Sequence, residues 1–189
     1  MFSAVLKSKQ FHFETTAGLF SKNKVDEGSR LLINSMEIAP EDNVLDLGCG
    51  YGPIGLTAAT LASKGIVWMV DTDIRAVKYS KLNAELNHIN NVKILASDGF
   101  EEIPEGVIFD VIVSHPPTHA PKETIIEFIE NSRQRLKRGG QLYFVTESRV
   151  RPMIKREFER VFDNCKLLVS DKQHAISFAR KNNDNRLSR

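Results

Sequence analysis

The sequence predicts an α/β fold: a doubly wound, mostly parallel, seven-stranded sheet closed by a terminal antiparallel hairpin. Three observations predict it. From Val44 onward, short apolar runs alternate with helical patterns through most of the chain. The first of these runs ends in a glycine-rich turn that leads straight into a helix, Val44-Leu-Asp-Leu-Gly-Cys-Gly-Tyr-Gly-Pro-Ile-Gly55, which is how such folds hold a ligand. The last two apolar runs are separated only by residues around Ser170–Gln173, a link too short for a parallel crossover but sufficient for an antiparallel turn.

The elements follow in order. Phe11-His12-Phe13-Glu14-Thr15 alternates like a strand, and Gly18-Leu19-Phe20-Ser21 follows a turn, which predicts a hairpin extension over residues 1–24. Asp26 to Met36 reads as a helix with Leu31, Leu32 and Met36 on its apolar side. Strands are predicted near 44–47, 66–71, 92–97, 109–114, 141–147, 165–170 and 174–179, and helices near 53–63, 74–89, 122–137 and 152–162. Pro53 suits the first turn of its helix, where no N–H is needed. Gly139-Gly140 is read as the end of the helix at 122–137. One domain over 1–180 accounts for all of this, and residues 181–189 form a polar tail expected to be flexible.

Composition narrows the function classes. No apolar run approaches the roughly 20 residues that span a bilayer, and residues 1–10 lack the apolar centre of a signal peptide. Cys49 and Cys165 lack metal-ligand spacing; two unpaired cysteines fit a reducing cytoplasm. A net charge of +2 leaves any nucleic-acid argument to local clusters.

The glycine loop admits two registers. Gly50-x-Gly52-x-x-Gly55 matches the dinucleotide fingerprint, but it would run the strand through Asp46 and Gly48, poor residues for a buried parallel strand. The other register stops the strand at Asp46–Leu47 and reads Gly48-x-Gly50-x-Gly52 as the loop, with Asp46 at the strand's carboxyl end. Asp71 ends the next strand, where an acid accepts hydrogen bonds from ribose hydroxyls. Asp73 reads as a helix N-cap. Asp98-Gly99 follows the third strand. Three strand-end acids, Asp46, Asp71 and Asp98, converge on one crevice and suit a cationic ligand better than a pyrophosphate. The fourth strand delivers Ser114-His115-Pro116-Pro117, a stiff loop whose prolines lack N–H donors and leave carbonyls free to accept.

The loop resembles motif I of class I S-adenosylmethionine-dependent methyltransferases. The run Gly18-Leu19-Phe20-Ser21…Asp26-x-Gly28-Ser29, the glycine loop, the Pro-Pro loop and Leu136-Lys137-x-Gly139-Gly140 together resemble the "methyltransferase small" family over roughly residues 11–170. Its members include small-subunit ribosomal RNA guanine-N2 methyltransferases. The resemblance implies a Rossmann-like methyltransferase domain. It implies that Asp46, Gly48, Cys49, Gly50 and Gly52 surround the methionine part of S-adenosyl-L-methionine, that Asp71 and Thr72 meet the ribose and Asp98 and Gly99 the adenine, and that Ser114 lies beside them. His115, Pro116 and Pro117 would position the acceptor amine, with no metal required.

This sequence departs from the family loop Asn-Pro-Pro-Ile-Arg-Ala-Gly-Lys, carrying His115-Pro116-Pro117-Thr118-His119-Ala120-Pro121-Lys122. A neutral histidine still offers one acceptor nitrogen, and it titrates near neutral pH. The basic residues 133–138 are read as complementing a helix C-terminus. Arg149, Arg151, Lys155 and Arg156 fall at a helix N-terminus, where cations are unfavourable, so Arg149 and Arg151 are assigned to RNA phosphate. Phe20 is read either as stacking on an extruded base or as a core residue. Ribosomal RNA or the small ribosomal subunit is the expected partner. A protein amide, a small molecule, or a non-catalytic RNA- or partner-binding module are the alternatives that His115 leaves open.

Overall fold

A computed structural model describes residues 1–16, 18–19, 24–116 and 121–182. The chain opens on a two-stranded hairpin, β1 (Phe2–Leu6) and β2 (Lys9–Phe13), followed by α1 (Glu27–Ser35). The body runs β3 (Val44–Leu47), α2 (Pro53–Leu61), β4 (Val67–Asp71), α3 (Ile74–Leu86), β5 (Val92–Ala96), β6 (Phe109–Ser114), α4 (Lys122–Arg135) and β7 (Leu136–Glu147). A 3-10 turn at Ser148–Val150, α5 (Arg151–Phe162), β8 (Lys166–Ser170) and β9 (His174–Arg180) complete it. The seven-stranded sheet has the order β5-β4-β3-β6-β7-β9-β8; β9 is antiparallel to both its neighbours and the other pairs are parallel.

The central strands are buried on both faces, which is why they read as continuous apolar runs. In β3, Val44 faces a core built with Leu32, Ile33, Met69, Val111 and Ile176. Leu45 and Leu47 face the opposite core with Val70, Ile112, Phe144 and Phe158. The chain steps outward from β3 to β5 and then returns to β6 beside β3, so the sheet's switch point lies between β3 and β6. Ligand crevices form there, beyond the carboxyl ends of the strands. No helix among the described residues is long and apolar enough to cross a membrane.

Two local expectations are corrected. The strand that pairs with β2 is Phe2–Leu6, and its turn is Lys7-Ser8, with φ of 45° and 62°; Phe20 and Ser21 of the expected hairpin lie outside the described residues. With positive φ at both positions this is a type I′ turn, which asparagine and glycine normally supply; Lys-Ser carries no such signal. The second correction is that α4 stops at Arg135, and Gly139-Gly140 lies inside β7. Gly139 has φ +78° where the β6–β7 register slips between Phe109 and Val111, so these glycines make an irregularity in the strand. Lys137 leaves the helix end it was assigned to and pairs with Asp110 at 2.7 Å. Arg133 and Arg135 do occupy the last turn of α4.

The N-terminal segment is fastened to the body by asparagines on α3. Asn83 accepts the Glu14 amide at 2.7 Å and donates to the Glu14 carbonyl at 2.9 Å. One helical turn later, Asn87 does the same for His12, at 2.8 and 2.7 Å. Residues two apart on an extended segment are about 6.6 Å apart, and residues four apart on a helix about 6 Å. The two spacings match, so helix side chains complete the backbone bonding of an extended segment.

Candidate active site

The loop between β3 and α2 is set by its glycines. Gly48, Gly50 and Gly52 have φ of +81°, +58° and +102°. A Cβ on Gly48 or Gly50 would meet nothing within 4 Å, so these two border open space. A Cβ on Gly52 would lie 3.1 Å from both Met69 and Ser80, so this glycine serves packing as well as conformation. Pro53 takes the first helical position after Gly52.

Asp46 lies beneath the loop, fully buried. One carboxylate oxygen accepts the Gly55 amide at 2.7 Å. The other, Oδ1, is buried without a hydrogen-bond partner. Burial pushes its pKa up to about 7; the Gly55 amide opposes the rise and the nearby Asp71 charge adds to it. Asp71 stands at the end of β4, with Oδ2 accepting the Gly50 amide at 2.8 Å and Oδ1 the Asp73 amide at 2.9 Å. Thr72 is exposed beside it. The Ser80 hydroxyl donates to the Gly50 carbonyl at 2.8 Å. Cys49 packs its thiol near Ser80, and burial holds that thiol well above its ordinary pKa, in the protonated form.

Asp98 is exposed at the bend after β5, and Gly99 follows with φ +54° against Phe128. Both line a cavity of about 590 Å³ between this bend and α4, which Phe100 and Arg135 also border. The sequence thus brings acids to the ends of three adjacent strands, but with different exposures: Asp46 buried, Asp71 intermediate, Asp98 open to solvent.

Ser114 and His115 emerge from β6 at the switch point. Leu47 and Ser114 are register partners, and the buried Ser114 hydroxyl donates to the Leu47 carbonyl at 2.8 Å. That hydroxyl clamps the two strand ends together. His115 turns toward α1: its Nδ1 lies 3.2 Å from the Ser29 hydroxyl and 3.7 Å from Asp26. His174, at the start of β9, meets the His115 ring edge-on at 6.2 Å between centroids. Burial holds the His115 pKa below its ordinary value; Asp26 opposes that and His174 adds to it. His115 is therefore neutral at pH 7. Pro116 is buried beside it. Pro117 and Phe20 lie outside the described residues.

The basic cluster after β7 is largely neutralised within the chain. Arg149 pairs with Glu147, Lys155 with Glu159 and Arg156 with Glu157. These pairings supply a local reason for cations at the start of α5. Arg151 is exposed, with no ion pair among the described residues. Asp26, Gly28 and Ser29 belong to a short sequence motif that carries no sign of their place against His115, and His174 lies outside every motif. Nothing local marks that histidine; only the return of β9 beside β7 brings it here.

A family model described as "Methyltransferase small domain" matches residues 10–177. The chain belongs to that family. This places it among S-adenosylmethionine-dependent methyltransferases. YbxB of Bacillus subtilis (strain 168) is 39% identical over 178 residues, covering 93% of this chain and 89% of that protein. Ribosomal RNA small subunit methyltransferase C of Hamiltonella defensa is 34% identical over 74% of the chain and 42% of its own length. A solved Thermus thermophilus structure, the 16S rRNA N2 G1207 methyltransferase RsmC with AdoMet and guanosine, superposes with TM-score 0.86 at 29% identity, over 95% of this chain and 50% of that one. The family member described here thus spans about half the length of these named ribosomal RNA methyltransferases.

Proposed function

We propose that this methyltransferase modifies the exocyclic N2 of a guanine in ribosomal RNA. The reading rests on one juxtaposition. The glycine loop after β3 and His115-Pro116 after β6 leave the sheet side by side, at adjacent strand ends fastened through Ser114. Two of the three relatives named above are ribosomal RNA methyltransferases, and the RsmC structure contains guanosine.

The residues present fit S-adenosylmethionine. Gly48 and Gly50 border open space that a Cβ would enter. Asp46 keeps a buried oxygen unpartnered beneath it. Gly48, Gly50 and Gly52 would lie along the methionine part, Asp71 and Thr72 at the ribose, and Asp98 and Gly99 at the adenine. The cofactor supplies an electrophilic methyl carbon. The chain supplies alignment: buried, neutral His115 accepts an N–H of the acceptor amine while the Pro116 carbonyl takes the other. Gripping both hydrogens turns the nitrogen lone pair toward the crevice. Arg151 is the exposed cation left for RNA phosphate.

Calorimetry with S-adenosylmethionine and tritiated methyl transfer to undermethylated ribosomal subunits test the proposal. Binding and transfer are expected, with transfer reduced in His115→Ala. Binding without transfer to any RNA favours a non-catalytic module, and transfer to a protein amide or small molecule replaces the RNA acceptor. Binding of NAD in place of S-adenosylmethionine removes the cofactor assignment.

A further inference from the structure

Asp26, His115 and His174 come from three distant parts of the chain: the N-cap of α1, the loop after β6 and the first residue of β9. One ligand-type atom from each lies within 4.8 Å of the other two. We propose that these three side chains form a binding site for a divalent cation of the zinc class.

The chemistry of the set is specific. Two imidazoles and one carboxylate are a common protein ligand set for Zn²⁺ and for Co²⁺, Fe²⁺ and Ni²⁺, leaving further positions to water. Hard cations such as Mg²⁺ prefer oxygen alone. A tetrahedral zinc ion holds its ligands about 3.3 Å apart; Asp26 and His115 already stand at 3.7 Å.

Three features make this more than a chance meeting. The first is Gly28. Glycine within a helix costs about 1 kcal/mol relative to alanine, yet here a Cβ would lie 2.8 Å from the His174 ring and 2.9 Å from the His115 ring. A side chain at this position would push against both rings, so glycine leaves room for them to converge on this turn of α1. The second is His174 Nδ1, which is buried without a hydrogen-bond partner. It lies 3.9 Å from Asp171, in the place of the outer carboxylate that orients a metal-bound imidazole. With Nδ1 facing Asp171, Nε2 is the nitrogen on the Gly28 side, 3.1 Å from where that Cβ would be. The third is Asp26, held in place because it also caps α1 through the Ser29 amide at 3.0 Å.

Occupation changes what His115 offers. A proton on Nδ1, directed at Ser29 and Asp26, leaves Nε2 as an acceptor. A metal on Nδ1 puts the proton on Nε2 and makes it a donor. On the methyl-transfer reading above, on which this consequence alone rests, the cation stops His115 from accepting an amine N–H and inhibits transfer without displacing the cofactor.

The test uses tag-free, chelator-stripped full-length protein titrated with Co²⁺, followed by its visible d–d absorption, then with Zn²⁺ in competition. One Co²⁺ per chain is expected, displaced by one Zn²⁺. His174→Gln and Asp26→Asn, which keep polarity and the helix cap, are each expected to weaken binding about 100-fold. His12→Ala, a histidine on the hairpin, is expected to bind as the wild type does. Absence of a stoichiometric Co²⁺ spectrum, or an unchanged spectrum in both variants, overturns the site. Because absorption is read without any methyl acceptor, this failure is distinguishable from failure of the RNA reading. One equivalent of Zn²⁺ is expected to abolish most methyl transfer with S-adenosylmethionine affinity unchanged. Zinc bound with transfer unaffected overturns the inhibitory role.

Discussion

Asp46 accepts the backbone amide of Gly55 at 2.7 Å, joining the floor of the β3 loop to the first turn of α2. This single bond is the only hydrogen bond the buried carboxylate makes among the described residues, since its other oxygen has no partner. Burial outweighs that bond and pushes the carboxyl group's pKa up to about 7.

Stability is therefore expected to fall as pH rises through this group's titration. Between an unfolded value of 3.8 and the folded value of about 7, the folded state binds more protons than the unfolded one, so rising pH favours unfolding. Asp46→Asn keeps an acceptor for Gly55 and cannot ionise. Relative to wild type, it is expected to gain about 3 kcal/mol on going from pH 4.5 to pH 8. Urea denaturation of cofactor-free protein at the two pH values measures this; a pH-independent difference would show that Asp46 is already ionised at pH 4.5.

Alanine substitutions in the loop are expected to separate binding from stability. Gly48→Ala places its methyl in open space. It should cost about 1–2 kcal/mol for its left-handed backbone while weakening S-adenosylmethionine binding about 10-fold or more. Gly55→Ala pushes a methyl to 2.7 Å from Met69 and 2.8 Å from Asp46, and should cost about 1–3 kcal/mol by overpacking. Thermal denaturation and calorimetry on both variants check the contrast. Wild-type affinity in Gly48→Ala would put the cofactor elsewhere.

His115 sets an expected pH profile. Its pKa is held below the ordinary imidazole value of 6.5, chiefly by burial, so the acidic limb of methyl transfer should fall below that pH. His115→Asn should abolish the limb and retain transfer, because an amide carbonyl also accepts an N–H. His115→Ala should lose about 100-fold. An acidic limb that survives in His115→Asn belongs to another group.

Asn83→Ala is expected to be strongly destabilising. Asn83 is fully buried and donates to the Tyr51 carbonyl at 2.9 Å as well as bonding both backbone groups of Glu14. Removal strands the buried Tyr51 carbonyl and the part-buried amide and carbonyl of Glu14, and should cost about 2–3 kcal/mol. Chemical denaturation measures the loss, and amide exchange at Glu14 should accelerate with it. Unchanged exchange there would mean that the segment is held by its apolar contacts alone.

Much of the fold was legible because its signals are local. The β3, β4 and β6 runs are apolar on both faces, and Asp73 and Pro53 mark helix starts within one turn. Lys7-Ser8 was not legible as a turn, because its left-handed residues are held there by the pairing of Leu6 with Lys9 rather than by their own preference. Gly139-Gly140 looked like a helix end because a glycine pair marks helix caps and strand irregularities alike. At the site, the order of strand-end acids was readable, but their depth was not. Asp46 and Ser114 look exposed by position and are sealed by the packing of α2 and β3. The meeting of Asp26, Ser29, His115 and His174 depends on sheet order, which no short window of sequence contains.

Gly28 leaves room for two rings that lie far apart along the chain, and this has a consequence for biosynthesis. A nascent chain exposes β3, its glycine loop and β6 well before β9 emerges, so the cofactor loop can form while His115 still lacks its neighbour. Contacts of such long sequence separation are slow to form, and this one requires β9 to lie beside β7. The imidazole pair thus reports on completed folding: it comes together only in a chain whose last strand has found its place.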